Sequence, residues 1–332
     1  MSINGSRAVV FLGTGLGLSM LAWFLVNMDW RAFVSCLERI DGPALLPAAG
    51  FMLAGTLCRS LRWEILLRPS LPLKDRPGFG KRWRLCWLAL CAGYFGNMIF
   101  PAKAGEFIRM FHIHKSLGLN MGAAVAMSAL DRLLDVCCVL ILGLILAFSV
   151  LADVPSLYVG LVPLALLVLA ILAAGAAFFA RQGAASRGLG RLRSRLPGFI
   201  ADKALIFGQQ ISGALRNIAS PSPILRGLAL SACAFCLDVL FCWRLMLAFG
   251  WQLPLEAAML MELSLCLAGI LPSAPAYLGL YQAAAIFSLG WFGGAQADGM
   301  AYALLVQVLS VSLSGAIGAG GFFAMRKSAR QA

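Results

Sequence analysis

A polar, proline-broken stretch inside apolar sequence places the strongest constraint on how this chain can fold. It runs from Gly96 to Arg109 and reads GNMIFPAKAGEFIR. Proline removes a backbone hydrogen-bond donor and clashes with the preceding helical turn, so Pro101 predicts that any helix is interrupted there. Inside a bilayer, such an interruption is tolerated only where protein or a water-filled cavity satisfies the freed backbone groups.

A second apolar stretch is broken in the same way far downstream. It runs from Gly269 to Gln282, reads GILPSAPAYLGLYQ, and contains Pro272 and Pro275. Apolar segments interrupted by glycine and proline in corresponding halves of a chain indicate the binding site of a transporter. We therefore expect the function to lie where the two interrupted segments meet.

The composition predicts an all-α polytopic membrane protein. The chain has 332 residues, of which 61% are hydrophobic and 12% are charged. A soluble protein carries about 25% charged residues. Several apolar runs reach the ~20 residues that a helix needs to cross a bilayer. Little of the chain is left for a soluble domain.

The basic balance and the cysteines have ordinary explanations in such a protein. The net charge of +13 is interpreted as basic residues retained in cytoplasmic loops, and not as a nucleic-acid surface. Most of the ten cysteines fall in apolar runs, where free cysteine behaves as a small buried hydrophobe. We assign no metal, no other cofactor and no nucleic-acid partner.

The apolar runs predict about six full membrane spans. Loop 68–84 carries six basic residues and one acidic residue, which predicts that it is cytoplasmic. The same rule places both termini in the cytoplasm, and we expect a multi-pass protein of the bacterial inner membrane. The predicted spans are 8–27, 43–67, 120–150, 156–180, 222–249 and 299–325.

The two interrupted segments are predicted to be re-entrant hairpins. Residues 85–117 should enter from the cytoplasm, because basic residues flank both ends of the segment. Residues 257–293 should enter from the outside, because neither the segment nor its flanks carry Lys or Arg. Each half-helix is short for a full span. The predicted half-helices are 85–100 and 104–117 in the first segment, and 257–271 and 276–293 in the second.

The elements then repeat in opposite orientation. Residues 1–150 form a first membrane repeat and residues 151–332 a second, an inverted arrangement that many secondary transporters use. Within the second repeat, segment 181–220 holds seven basic residues and one acidic residue. Its leucines recur at helical spacing, which is typical of a cationic helix in the inner headgroup layer. A specific lipid site is the alternative there.

Charged residues within the apolar segments are the candidates for function. Each Arg, Lys or Asp near the centre of a spanning helix costs about 2.5–3.5 kcal/mol to insert, so such groups should face one another or a hydrated cavity. Residues three or four apart share a helix face. Together with the residues of the two interruptions, the candidates for substrate binding or translocation are Arg59, Arg62, Asn97, Pro101, Lys103, Gly105, Glu106, Arg109, Asp131, Arg132, Asp135, Asp238, Arg244, Pro272, Pro275 and Gln282.

Two interpretations of these charges stay open. They could form a structural lattice of ion pairs that holds spans two and three and the first hairpin together. They could instead bind an anionic headgroup, because the planar fork of arginine matches phosphate oxygens. A helix that begins near Lys103–Gly105 would point its partially positive amino end at the same group.

Four motifs in order resemble the lysylphosphatidylglycerol synthase transmembrane-region family. They are RSLRW in span two, NMIFPAKAGEFIR in the first hairpin, DRLLD in span three and PSAPAYLGLYQ at the second break. The resemblance covers nearly the whole chain. It implies a flippase-like membrane domain, here without the synthase domain, in which re-entrant helices line a polar cavity for lipid translocation or lipid-linked processing.

The resemblance also implies roles for single residues, with three departures. Lys103 stands where the family usually has arginine, and Ala276–Tyr277 follows Pro275 where the family favours Gly-Gly. Gln282 occupies the position of an acidic residue, and a glutamine cannot titrate, which argues against proton coupling there. The residues that match the family pattern are Asn97, Pro101, Gly105, Glu106, Arg109, Asp131, Arg132 and Asp135.

The first functional hypothesis is a transporter that moves an anionic or phosphate-bearing lipid between leaflets. The alternatives are an integral-membrane enzyme, with Asp131 and Asp135 as metal or acid–base groups, or an accessory scaffold in phospholipid, polyprenyl or hopanoid biosynthesis. A lipid-biosynthesis enzyme is then a possible partner. Arg132 beside the two acids, and the lack of a partnering histidine or third carboxylate, argue against a metal there. The interpretation leans against an enzyme, because the sequence has no room for a soluble aminoacyl-transferase domain. No catalytic residue is assigned.

Overall fold

The described part of the chain is helical throughout. The computed structural model describes residue 15 and residues 18–72, 76–100, 103–150, 198–218, 221–270 and 274–328, and no strand occurs among them. This confirms the all-α prediction. The predicted span 156–180, the start of span 8–27, most of the basic part of 181–220, Pro101 and Pro272 lie outside the described residues.

Ten α-helices follow one another within those ranges, after a helical stretch at 18–26. Short 3₁₀ turns occupy Arg68–Ser70 and Pro275–Tyr277. The α-helices are α1 (Trp30–Glu38), α2 (Leu45–Leu67), α3 (Phe79–Ile99), α4 (Ala104–Leu117), α5 (Met121–Val150), α6 (Gly198–Asn217), α7 (Pro221–Ala248), α8 (Leu255–Ile270), α9 (Leu280–Gly290) and α10 (Gln296–Ser328).

Helix α1 lies between the predicted spans 8–27 and 43–67, in a stretch for which no helix was predicted. Its start is fixed by Asp29, whose side chain accepts hydrogen bonds from the backbone N–H groups of Arg31 (3.0 Å) and Ala32 (3.1 Å). An aspartate at this position satisfies helix donors that would otherwise lack partners. The capping aspartate is the local signal that could have identified the helix.

The first interruption lies where Pro101 predicted it, between the end of α3 and the start of α4. Helix α3 begins at Phe79, earlier than the predicted start at residue 85. The reason is Arg82, which is only 6% exposed and donates from Nε to Glu64 at 2.6 Å. Because Glu64 neutralises the charge of Arg82, this arginine can be buried in a helix and does not need a solvated loop.

The second interruption, between α8 and α9, also lies where the prolines predicted it. Helix α9 begins at Leu280, later than the predicted start at residue 276. Ala276 and Tyr277 adopt left-handed backbone conformations, with φ of +56° and +57°, and Gly279 has φ of +82°. Left-handed residues cannot continue a right-handed helix, so α9 starts only beyond them.

Two described helices are long and apolar enough to cross a membrane. They are the 27-residue segment Ser222–Ala248 in α7 and the 23-residue segment Gln296–Gly318 in α10. At 1.5 Å per residue, each exceeds the ~30 Å of bilayer hydrocarbon. The sidedness of the termini, the re-entrant character of the hairpins and the inverted repeats stay predictions.

The chain divides into two compact units, and the divisions fall within helices. Unit 1 comprises Met1–Leu57, Leu88–Arg109 and Cys233–Ala332, whereas unit 2 comprises Cys58–Trp87 and Met110–Ala232. Both interruptions belong to unit 1. The charged helix α5 belongs to unit 2.

Candidate functional site

A buried cluster of charges centres on Arg62 in unit 2. Arg62 is 1% exposed, and its Nη2 lies 2.7 Å from Oδ1 of Asp131. Its Nη1 lies 2.5 Å from Oδ1 of Asp135 and donates to Oγ of Ser231 at 2.6 Å. One arginine thus binds side chains of α5 and α7 to α2.

The sequence around the cluster explains how three helices approach one another. Asp131 and Asp135 are one turn apart, so they share the face of α5 that meets Arg62. A Cβ atom at Gly227 would lie 3.0 Å from Cδ1 of Leu134, so the absent side chain lets α7 pack closely. Arg132, on the exposed side, lies 3.2 Å from Asp135 and offsets repulsion between the two acids.

This arrangement corresponds to the lattice interpretation for span two and span three. Ser231, which contributes the α7 contact to Arg62, was not a predicted site residue. A serine hydroxyl in an apolar helix also bonds its own backbone, here the Gly227 carbonyl at 2.9 Å, so its sequence gives little signal of the arginine contact. Whether these residues also bind a substrate stays a prediction.

A second buried ion pair in unit 2 lies outside the predicted set. Arg82 of α3 contacts Glu64 of α2 at 2.6 Å through both Nε and Nη2. Beside it, the indole N–H of Trp83 donates to Oγ of Ser60 at 2.8 Å. The pair fixes the start of α3 against α2 and gives Glu64, a charge in an apolar helix, a structural role.

The first interruption, in unit 1, is built on glycines. A Cβ atom at Gly105 would collide with the Gly93 carbonyl and lie 2.6 Å from Oδ1 of Asn97. A Cβ atom at Gly96 would lie 2.9 Å from Cα of Gly105. The two half-helices α3 and α4 therefore pack backbone against backbone. Lys103, with φ of +56°, makes the turn between them.

Charged groups are fixed immediately beyond that turn. Glu106 lies in the first turn of α4, where the partially positive helix end favours an acid. Arg109 is 1% exposed, and its Nη2 lies 3.0 Å from Oε2 of Glu106. The structure thus brings Asn97, Gly105, Glu106 and Arg109 together at the first interruption.

The second interruption, also in unit 1, is uncharged and is held by two glutamines. Oε1 of Gln282 accepts the backbone N–H of Gly279 at 2.8 Å, and Nε2 donates to Oε1 of Gln307 at 2.8 Å. Nε2 of Gln307 in turn donates to the Ala276 carbonyl at 2.8 Å. The rings of Tyr277 and Tyr281 stack 4.8 Å apart beside this chain.

Helix α10 contacts both hairpins within unit 1. Gln307 reaches the second interruption, whereas Gly315 and Gly318 face α3. A Cβ atom at Gly315 would lie 3.1 Å from the Phe95 ring, and one at Gly318 would lie 3.0 Å from the Cys91 carbonyl. Gln307 was missed from the sequence, and its only signal was an isolated amide in a long apolar helix.

The remaining predicted residues occupy separate places. Asp238 and Arg244 are half-buried on α7, in the part of that helix that belongs to unit 1. Arg59 lies on α2 within unit 2, and Pro275 begins the 3₁₀ turn of the second interruption. No group of three or more His, Cys, Asp or Glu side chains suited to a metal occurs among the described residues.

A cavity of about 320 Å³ lies between α6 and the start of α5 in unit 2. Four of its nine described lining residues carry amide side chains: Asn120, Gln209, Gln210 and Asn217. The described residues that line it include no charged side chain and none of the predicted site residues.

Comparison with known proteins gives one family. No curated protein matches the chain. The family model described as Lysylphosphatidylglycerol synthase TM region matches residues 10–318 of the 332. The match includes both interruptions and the Arg62 cluster, and with the two long apolar helices it makes this a membrane protein. The chain belongs to the lysylphosphatidylglycerol synthase TM region family.

Proposed function

We propose that the protein moves an anionic or phosphate-bearing lipid between the leaflets of a bacterial inner membrane. The observation that carries the proposal is Arg109, a buried arginine held by Glu106 directly after a helix interruption in apolar sequence. Membership of a family tied to lipid metabolism or transport supports a lipid as the substrate.

The physical argument starts from the cost of moving a headgroup. A phosphate that crosses ~30 Å of hydrocarbon loses its hydration, so a transporter must replace water with fixed polar groups. Arginine binds phosphate oxygens through parallel N–H donors. Glu106 holds Arg109 in one orientation, so the guanidinium does not have to be ordered again when a headgroup arrives.

The start of α4 adds to the attraction for an anion. Backbone N–H groups at a helix amino end point outward and carry a partial positive charge. Lys103 lies at the same end and supplies a second cation, without the planar fork of arginine. In the proposed mechanism, a lipid phosphate approaches this end of α4 and replaces the Glu106 carboxylate as the partner of the Arg109 guanidinium.

The test is lipid redistribution in liposomes. Purified protein is reconstituted into vesicles that carry fluorescent phosphatidylglycerol in both leaflets, and dithionite bleaches only the outer pool. Wild-type protein should expose the inner pool to bleaching, and faster for phosphatidylglycerol than for phosphatidylcholine. Unchanged leaflet distribution, with folded protein present, would contradict the proposal.

Substitutions at the first interruption test whether this site carries the transport activity. We expect Glu106→Gln and Arg109→Ala to slow redistribution about tenfold, the effect of losing one charge-assisted hydrogen bond, with expression retained. Arg226→Ala, at an exposed position of α7, is the matched control and should leave the rate unchanged. Normal rates in both hairpin variants would remove this site from the mechanism.

The same vesicles separate transport from enzymology. Mass spectrometry of the extracted lipids should find no new species. Formation of a modified lipid that Asp135→Asn abolishes would favour an integral-membrane enzyme, and co-purification of a lipid synthase would favour an accessory scaffold.

A further inference from the structure

We propose that Gln282 and Gln307 position the backbone of the second interruption for transport, through a relay that requires an uncharged amide at position 282. The relay consists of three hydrogen bonds that link Gly279, Gln282, Gln307 and Ala276. Its effect on transport rests on the proposed function, whereas the relay itself can be tested without it.

The direction of the three hydrogen bonds is fixed at both ends. The Gly279 N–H can only donate, so it faces the carbonyl oxygen of Gln282. The Ala276 carbonyl can only accept, so it faces the amide nitrogen of Gln307. The inner groups must then be Nε2 of Gln282 and Oε1 of Gln307, which meet at 2.8 Å. Only a side chain with both an acceptor and a donor serves at each position.

The backbone that the relay holds is one that needs support. Ala276 and Tyr277 have φ near +56°, and an L-residue in the left-handed region costs about 1–2 kcal/mol. Such conformations persist where the surrounding structure over-determines them. Gln307 holds the carbonyl of the first left-handed residue, and Gln282 holds the N–H of Gly279 at the far end.

Both glutamines are removed from solvent, with exposures of 3% for Gln282 and 5% for Gln307. A buried polar group left without its partner is destabilising, so the relay should tolerate no change that orphans one of its members. Because Gln307 lies on α10, the relay also ties the interruption to the helix that packs on α3.

Glutamate at position 282 distinguishes this role from simple helix capping. Gln282 is the third residue of α9, where Glu and Gln serve equally as acceptors for the preceding backbone N–H. A glutamate would also suit the positive helix end. Capping alone therefore predicts that Gln282→Glu costs only the burial of its charge, whether or not Gln307 is present. The relay predicts a further loss where Gln307 is present, because an ionised carboxylate cannot donate to Gln307.

The experiment compares four variants in detergent. They are Gln282→Glu, Gln307→Leu, the double variant, and Gln252→Glu as a matched control at an exposed position. Hydrogen exchange of the peptide covering residues 274–282 and the melting temperature are measured for each. Gln282→Glu should speed exchange of that peptide about tenfold and lower Tm by about 2–4 °C. The control should change neither.

The double variant tests whether the two glutamines act as one unit. Once Gln307 is replaced by Leu, no acceptor remains for the donor of Gln282, so adding Gln282→Glu should cost less stability than it does in the wild-type protein. Additive losses would overturn the relay, as would unchanged exchange or a raised Tm in Gln282→Glu. If Gln282→Glu does not fold, Gln307→Glu decides, because it keeps the inner acceptor and loses only the donor to Ala276.

The transport arm uses the liposome assay. Gln282→Glu should slow lipid redistribution several-fold, whereas Gln252→Glu should not. Faster exchange at the interruption with an unchanged transport rate would overturn the positioning role. If wild-type protein moves no lipid, the proposed function fails, and the exchange result still decides whether the relay exists.

Discussion

The two interruptions solve one backbone problem with opposite chemistry. Each contains an L-residue with φ of +56°, Lys103 in the first and Ala276 in the second. The first is closed by backbone packing at Gly105 and is followed by the Glu106–Arg109 ion pair. The second carries no charged residue between 271 and 282 and is held by side-chain amides.

The comparison distinguishes two roles: stabilising an interrupted backbone and binding an anion. Glycine contacts close the first hairpin, and its charged side chains Glu106 and Arg109 pair with each other. The side-chain amides at the second interruption are hydrogen-bonded to the backbone and carry no charge. We infer that the first interruption supplies the electrostatic contacts to a headgroup and the second supplies a fixed shape.

The largest effect should come from Arg62, the cation at the centre of the buried charge cluster. Arg62→Ala would leave Asp131 and Asp135 buried without their central cation, which costs about 3–5 kcal/mol for a buried pair. We expect a large drop in the melting temperature and poor expression. Arg62→Lys should recover only part of the loss, since one ammonium cannot reproduce the fork geometry. A stable Arg62→Ala protein would mean that this cluster is held mainly by other contacts.

Glycine packing at the first interruption is tested by Gly105→Ala. The added methyl group would collide with the Gly93 carbonyl, and overpacking of this kind costs about 1–3 kcal/mol or more. Gly50→Ala is the matched control in the same unit, because a Cβ atom there meets nothing within 4 Å. The control should be neutral or slightly stabilising by helix propensity. Equal stability of the two variants would contradict close packing of α3 and α4.

The smallest effect should come from relieving the left-handed residues. Ala276→Gly removes the steric penalty but raises the entropy of the unfolded chain, so we expect a net gain of up to about 1 kcal/mol. Lys103→Gly should show a similar stability change. It should also slow redistribution of an anionic lipid, since it removes a cation, whereas Ala276→Gly should not. Equal transport rates of the two variants would contradict the inference that only the first interruption supplies electrostatic contacts to the headgroup.

The sequence predicted the interruptions well because their causes are local. Proline breaks a helix when it lies beyond the first turn, and residues three apart, such as Glu106 and Arg109, share a face in any helix. Partners from distant segments could not be predicted in this way. Gln307 meets Gln282, and Ser231 meets Arg62, only because of tertiary packing, and neither side chain has a distinctive local pattern.

Helix ends were displaced for the same reason. Arg82 looked like a loop residue until its partner Glu64 allowed it into α3. Ala276 looked helical by composition, but the prolines and the relay hold it in the left-handed region. In both cases a contact that is remote in sequence overrode the local preference.

We expect the two interruptions to be reached by water from opposite sides of the membrane. Lys103→Cys and Ala276→Cys can each be labelled with a membrane-impermeant thiol reagent added to one side of sealed vesicles. Val308→Cys, at an exposed position of α10, is a control expected to face lipid. Native Cys36 should react slowly, because burial and Asp298 raise the pKa of its thiol to about 12.

We expect Lys103→Cys to be labelled only from the cytoplasmic side and Ala276→Cys only from the outside, while Val308→Cys stays unlabelled from either side. Labelling of both break positions from the same side, or of neither, would contradict it.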